Sequence, residues 1–247
     1  MLWKSLTSVP AAPRAPEFLS KMNRRWLRGQ ASETRYWHKY FSGYGRDDLA
    51  KRLDPELPLQ DYIQRWLDPG AESVSILDVG AGPLTTLGKV WDGGRLEITA
   101  VDILADAYDE ILTEFDVVPP VRTVPCATEA LAERFGENRF DLVYVENALD
   151  HHADVVEAIE QMLRVAKIGG HVVMRHARDE GESKGYDGLH QWNLCIEDGD
   201  YLIWNREVRT SVRSEFGDWS KLVHLEEPRP PWELVVVEKT AAPPPLE

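Results

Sequence analysis

Thiols are scarce in this chain: Cys126 and Cys195 are the only cysteines in 247 residues. Two are too few for a disulfide framework or a cysteine zinc site and fit a reducing compartment, so both are expected as free thiols. Long apolar runs are missing as well. No stretch approaches the roughly 20 apolar residues of a membrane-spanning helix. The opening MLWKSLTSVPAAPRAPEF has no continuous apolar core of signal-peptide length, so a cytoplasmic protein without membrane contact is expected. Basic residues are outnumbered, 28 Lys and Arg against 42 Asp and Glu, giving a formal charge of −14. That excess repels phosphate backbones and anionic lipid, so nucleic acid is not an expected partner. The local basic strip from Lys21 to Arg28, with Arg24 and Arg25, reads as the solvated face of a helix rather than a docking site. Nothing in the composition speaks to oligomeric state.

What is present is one sizeable apolar complement, enough for a single α/β core. Residues 1–16, rich in Pro and Ala, read as a flexible arm, and 241–247 as a flexible tail whose Leu246 and Glu247 resemble a cloning scar. Between them, apolar runs of strand length alternate with helical segments, the signature of βαβ units and a parallel sheet. Strands are predicted at Val74 to Val79, Leu96 to Val101, Val121 to Pro125, Phe140 to Val145 and His171 to Arg175. Helices around 84–90, 104–115, 128–135 and 153–166 separate them, the last stopped by Gly169 and Gly170. Further extended segments, Gln191 to Ile196, Tyr201 to Trp204, Leu222 to Glu226 and Leu234 to Lys239, are expected to close the same sheet in antiparallel fashion. Ahead of the first strand, 17–44 and 58–67 read as helices, making 17–69 a helical extension. In it Tyr36, Trp37, Tyr40, Phe41 and Tyr44 recur at helical spacing on one aromatic face.

The sharpest local signal is SVSILDVGAGPLTTLG, an apolar strand running into Asp78, Gly80 and Gly82 and then a predicted helix opened by Pro83. Glycines at such a turn let a ligand approach the backbone, and Pro suits a first helical position. A nicotinamide dinucleotide calls for G-x-G-x-x-G with a helix N-terminus facing its pyrophosphate. Here the third position is Thr85, and the carboxylate of Asp78 suits a ligand carrying an ammonium and a sulfonium better than a diphosphate. EITAVDIL then places Asp102 at the end of the second strand, where a carboxylate can accept from both hydroxyls of a ribose, with Ile103 beside it for the adenine. These features favour S-adenosylmethionine.

Taken in series, LDVGAGP, AVDIL, FDLVYVENALDHH and MLRVAKIGGHVVMRH resemble the successive motifs of class I S-adenosylmethionine-dependent methyltransferases over residues 70–240. The resemblance implies a Rossmann-like seven-stranded sheet, mostly parallel with one antiparallel strand, flanked by helices. It also implies adenine contacts from PCATEAL, at Cys126, Ala127 and Thr128, although the family often carries an acidic residue where Cys126 stands.

Ligands of open α/β sheets bind beyond the carboxyl ends of strands, so the segment after the fourth strand, Glu146, Asn147, Ala148, Leu149, Asp150, His151 and His152, is expected to face the reacting sulfonium. His151 is a candidate general base. The plainer alternative has Asp150 capping the next helix and His151 and His152 facing solvent. The group Asp150, His151, His152 and Asp154 is not expected to hold a metal, because adjacent histidines diverge and a zinc site needs converging ligands. After the fifth strand, HARDEGESKGYDGLHQWN gathers Tyr186, His190, Gln191 and Trp192. There His190 is a second candidate base, Tyr186 a group orienting the acceptor, and Trp192 a pocket wall; alternatively Trp192 starts a core strand and Tyr186 covers an edge. Tyr36, Trp37 and Tyr40 would form a substrate-side lid that excludes water, with Arg35 either meeting the methionine carboxylate or solvated.

The leading expectation is transfer of a methyl group to oxygen or nitrogen of a small molecule in a natural-product or saccharide biosynthetic pathway. The pairing of NALDH with YDGLHQWN resembles a bacterial methyltransferase subfamily of that kind. A second is a lyase that cyclises the cofactor to azetidine-2-carboxylate and methylthioadenosine, with Asn147 and Tyr186 holding the amine and no partner beyond the cofactor. A third is a non-catalytic cofactor-binding scaffold, against which the intact set Asp78, Gly80, Gly82 and Asp102 argues.

Overall fold

In the structure of the protein, a computed structural model, residues 24–245 are described. The arm at 1–16, the expected helix start at 17 and the terminal Leu246 and Glu247 lie outside them. The first helix, α1 (Arg24–Lys39), continues into a π-helical turn (Tyr40–Tyr44) broken at Gly43, φ 127°, and then into α2 (Arg46–Leu53). A short α3 (Asp61–Gln64) is all that forms of the helix expected at 58–67.

The sheet begins with β1 (Ser73–Val79) and β2 (Arg95–Asp102), followed by α4 (Ala105–Glu114), β3 (Thr123–Pro125), α5 (Leu131–Phe135), β4 (Phe140–Glu146), α6 (Val155–Val165) and β5 (Ala166–Ala177). After α7 (Glu180–Ser183) come β6 (Asn193–Glu197), β7 (Asp200–Trp204), β8 (Arg209–Ser211), α8 (Val212–Phe216), β9 (Ser220–Arg229) and β10 (Trp232–Lys239). Seven strands pair in the order β3-β2-β1-β4-β5-β10-β9. The first five are parallel, and β10 runs antiparallel to both β5 and β9.

Burial explains why these strands were legible. Alternate residues of β1 and β4 face two separate cores, so Ile76 and Leu77 of β1 and Leu142 to Val145 of β4 are apolar on both faces. Leu77, Val79, Val143 and Val145 pack under Val155, Ile159 and Met162 of α6, while Val74, Ile76, Leu142 and Tyr144 pack against Leu59, Ile63 and Trp91. A third cluster of Tyr40, Phe41, Leu84, Tyr108, Ile111 and Leu112 fastens the N-terminal helices to α4.

Two expectations are corrected. Residues 84–90 form no helix. Thr85 turns its hydroxyl onto Asp78 and accepts from the Leu87 N–H, and the chain pairs outward instead, Lys89 and Val90 donating to Leu57 O and Leu59 to Val90 O. Two threonines and Gly88 are poor helix formers, and a side-chain bond of this kind competes with the helical pattern. Second, β6 and β7 stay out of the main sheet and make a separate antiparallel sheet with β8, which buries Trp192, Leu194, Tyr201 and Ile203 against the α6 side. Among the described residues no helix is long and apolar enough to cross a membrane.

Candidate active site

The carboxyl ends of β1, β2 and β4 open into a cavity of about 570 Å³, walled on one side by α1 and on the other by the segments after β4 and β5. Its floor is the glycine turn. Gly80 and Gly82 sit at φ +66° and +64°, and a Cβ on either would lie 2.6 Å from Ala148 Cβ or 2.7 Å from Trp37 Cζ2. The turn therefore needs glycine for its left-handed backbone and for its close neighbours.

Asp78 is buried beneath this turn, its Oδ2 accepting from Thr85 Oγ1 at 2.5 Å. Burial pushes its carboxyl up to about 7, against the pull of the Thr85 hydrogen bond. Asp102 accepts the Gly82 N–H at 3.1 Å through Oδ2 and the Leu104 N–H at 2.8 Å through Oδ1. Burial raises its carboxyl too, and each oxygen keeps a lone pair for a further donor. Half-exposed Ile103, with Cys126, Ala127 and Thr128, forms the adjoining wall. Burial lifts the Cys126 thiol to about 11 and leaves it uncharged.

The cation near Asp78 is Arg52, which sequence reasoning missed. Reaching in from α2, it donates to Leu84 O at 2.8 Å and Asp48 Oδ2 at 2.7 Å, its guanidinium 5.6 Å from the Trp37 ring centre. Arg35 is exposed and does not line the cavity. Tyr36 and Trp37 line it, but Tyr40 does not: its ring is packed in the third core cluster and its hydroxyl donates to Asp48 Oδ2 at 2.8 Å.

At the tip of β4, Glu146 pairs with Arg175 and accepts from the Tyr144 hydroxyl at 2.9 Å. Asn147, in left-handed backbone at φ 49°, is held by its side chain: Nδ2 donates to Glu180 Oε2 at 2.9 Å and Oδ1 accepts the Ala177 N–H at 3.1 Å. Beyond it lies the group that local spacing did not reveal. Asp150, fully buried, meets His176 Nε2 at 2.9 Å through Oδ1 and His190 Nδ1 at 2.6 Å through Oδ2. His151 Nε2 stands 3.3 Å from His190 Nδ1 and 3.8 Å from Asp150 Oδ2.

Both nitrogens of His176 face acceptors, Asp150 and Ala177 O (2.7 Å), so the ring is an imidazolium opposite an ionised carboxylate. Burial alone would lower His176, but the bond and charge of Asp150 raise it. The same opposition raises His190. Burial would raise Asp150, yet the surrounding imidazoles hold its carboxyl well below the usual range, while burial pushes His151 down to about 4. Glu33 of α1 faces this group from across the cavity, its carboxyl raised by burial.

The remaining expectations place differently. Asp154, not Asp150, caps α6, accepting from Val156 and Glu157 N–H. His152 turns away to Thr128 Oγ1 at 2.7 Å. Tyr186 is off the cavity wall, its hydroxyl accepting from Asn193 Nδ2 at 2.8 Å and its ring covered by Arg206. Trp192 is core, donating to His152 O at 3.1 Å. Glu33, Arg52, His176 and Glu180 were not singled out as site residues, because what they meet, such as Leu84, Asp150 and Asn147, lies on distant parts of the chain.

A sheet of this order, with a glycine turn, two strand-end carboxylates and an adjoining cavity, defines the class I S-adenosylmethionine-dependent methyltransferase fold. Residues 77–174 match the family described as a methyltransferase domain, the fold is that of the class I S-adenosylmethionine-dependent methyltransferases, and S-adenosylmethionine is the cofactor. A Ubiquinone biosynthesis O-methyltransferase of Alkalilimnicola ehrlichii is 29% identical over 186 residues, 68% of this chain and 73% of that protein. Among solved structures, an S-adenosylmethionine-dependent methyltransferase of Mesorhizobium loti is similar at TM-score 0.45 and 14% identity, over 71% of this chain and 95% of that one. The trans-methyltransferase CalH in complex with SAH is similar at TM-score 0.45 and 17% identity, over 69% of this chain and 52% of that one.

Proposed function

We propose that the protein transfers a methyl group to an oxygen or nitrogen of a small-molecule acceptor bound at the Asp150, His151 and His190 end of the cavity. One observation carries the reading: the same cavity joins the glycine turn and its two carboxylates to this imidazole cluster. The cofactor half fits a sulfonium nucleoside. Asp102 with Ile103, Ala127 and Thr128 would receive the nucleoside, and Asp78, Glu146 and Arg52 bracket the space for an amino acid, with Tyr36 and Trp37 above. A pyrophosphate would meet these carboxylates without the helix N-terminus that normally offsets its charge. When bound, S-adenosylmethionine supplies an electrophilic methyl on sulfur.

The chain's own part is to position and to take a proton. With its Nδ1–H given to Asp150, His190 keeps the lone pair of Nε2 for the acceptor's proton, the arrangement by which a buried carboxylate fixes an imidazole tautomer. Asn147, braced by Glu180 and Ala177, holds the end of β4 still beside it. The name of the Alkalilimnicola relative speaks for oxygen as the target.

The test incubates purified protein and S-adenosylmethionine with panels of phenols, sugars and amines, reading products by mass spectrometry. Adenosylhomocysteine formed together with a methylated acceptor is expected. Methylthioadenosine with a cyclic amino acid, formed without acceptor, would replace methyl transfer by cyclisation, and absence of calorimetric binding of the cofactor would remove the enzyme reading altogether.

A further inference from the structure

The cavity contains a second set of convergent atoms, and we propose that Asp150, His151 and His190 form a binding site for one divalent first-row metal ion at the acceptor end. The atoms concerned are Asp150 Oδ2, His151 Nε2 and His190 Nδ1. Their separations are 2.6 Å between Asp150 and His190, 3.3 Å between the two imidazoles and 3.8 Å between Asp150 and His151. A triangle of those sides has a point about 2 Å from all three corners, the bond length of a zinc-type ion to imidazole nitrogen and carboxylate oxygen.

Proton counting points the same way. Asp150 Oδ1 is engaged by the imidazolium of His176, and Oδ2, which carries no proton, is the oxygen turned toward His190. His190 Nδ1 and His151 Nε2 face it and each other, and a proton on both nitrogens would set two N–H groups head to head. The three atoms therefore share one hydrogen among three lone pairs. A cation satisfies all three at once, the hydrogen of His190 Nδ1 passing to its own Nε2 so that the ring binds as a neutral imidazole.

The surroundings are those of a ligated carboxylate rather than of an accidental cluster. His176 fixes Asp150 from behind through its bond at 2.9 Å, as outer partners commonly orient metal ligands. Glu33 and Glu180 add negative charge on the cavity side. Two imidazoles and one carboxylate leave the ion's remaining positions facing the cavity, an open site suited to an oxygen of the acceptor, and the donor set selects zinc, cobalt or iron over magnesium or calcium. His151 and Asp150 adjoin in sequence, but the third ligand comes from the segment after β5, and the second neighbouring histidine, His152, is not involved.

This inference rests on the methyl-transfer reading only for what the ion would do there. Without it, His190 keeps its Nδ1–H and presents Nε2 as a base; with it, Nδ1 is a ligand and the cation takes over the task of acidifying an acceptor hydroxyl. The two states differ by one ion and by the tautomer of His190.

The experiment dialyses the full chain against cobalt(II), measures uptake by elemental analysis, and titrates cobalt calorimetrically in two buffers of different ionisation enthalpy. Uptake of about one ion per chain is expected, weakened by roughly a hundredfold or more in His151→Ala and in His190→Ala and unchanged in His224→Ala. In case the variants fail to fold, nuclear magnetic resonance of the wild-type imidazoles gives the same answer. Cobalt should broaden the signals of His151 and His190 and spare that of His224. Absence of uptake, uptake retained in the His151→Ala/His190→Ala double variant, or broadening of His224 without that of His151 and His190 overturns the site. Calorimetry of S-adenosylmethionine in the presence of a chelator reads the cofactor half separately, so failure of the metal site and failure of the methyltransferase reading are told apart.

Discussion

The backbone N–H of Gly82 donates to the carboxylate of Asp102 at 3.1 Å, tying the turn after β1 to the tip of β2. One side chain thus shapes the glycine turn and still offers lone pairs to the cavity.

Replacing Asp102 by Ala should therefore weaken S-adenosylmethionine binding by about 1.5–3 kcal/mol, roughly ten- to a hundredfold, since charge-assisted bonds of this kind are lost together with a brace of the turn. Isothermal titration measures it, and an unchanged affinity would take Asp102 out of the site.

Asp78 makes cofactor binding depend on pH. Its carboxyl is raised from 3.8 to about 7 by burial, so in the free protein it is largely neutral at pH 5 and ionised at pH 8. A ligand bearing positive charge favours the ionised form. Affinity for S-adenosylmethionine should rise by up to about tenfold per pH unit below 7 and flatten above it. For stability the sign is opposite: the unfolded chain ionises first, so Asp78 lowers folding stability progressively as pH climbs from about 4 to 7. Thr85→Val removes the bond that restrains the shift and should move the affinity plateau to higher pH.

Gly82→Ala combines a left-handed backbone with a Cβ 2.7 Å from Trp37, whereas Gly136→Ala has φ +80° and nothing within 4 Å. Both should cost about 1 kcal/mol for the backbone. Only the first should also lower cofactor affinity, and thermal unfolding with and without S-adenosylmethionine separates the two effects.

Arg52→Met keeps an unbranched stem while removing the guanidinium near Asp78. Affinity for S-adenosylmethionine should fall about tenfold with little change for its decarboxylated analogue, because the lost partner is a carboxylate. Exposed Arg35→Ala should leave both values unchanged.

The parallel core could be read from the chain because the middles of β1 and β4 are buried on both faces and hence apolar, and because Asp78 and Asp102 stand at the ends of their strands, at the glycine turn and beyond it. The missing helix at 84–90 could not: its composition hides a single hydroxyl whose best partner, Asp78, belongs to the preceding strand. Likewise the β6–β7 hairpin and the β9–β10 hairpin carry similar alternation, and only the apolar patch beside α6 decides that the first forms its own sheet. The Asp150 cluster draws His176 and His190 from 26 and 40 residues away. Arg52 reaches the cavity only because the π-helical turn redirects the chain between α1 and α2. Tyr186 and Trp192 misled for the opposite reason, since amphipathic aromatics satisfy a core and a pocket wall equally well as residue types.

Trp37, pressed against Gly82, has one more implication. Part of the cavity wall is contributed by residues that precede the sheet, among them Glu33, Trp37 and Arg52, and another part by Glu180, Lys184 and His190, which follow β5. A fragment trimmed to 77–174, the span matched by the methyltransferase-domain family, would retain the glycine turn but neither of these parts of the wall. Exchanging the flanks between relatives is the direct test of whether they set the choice of acceptor.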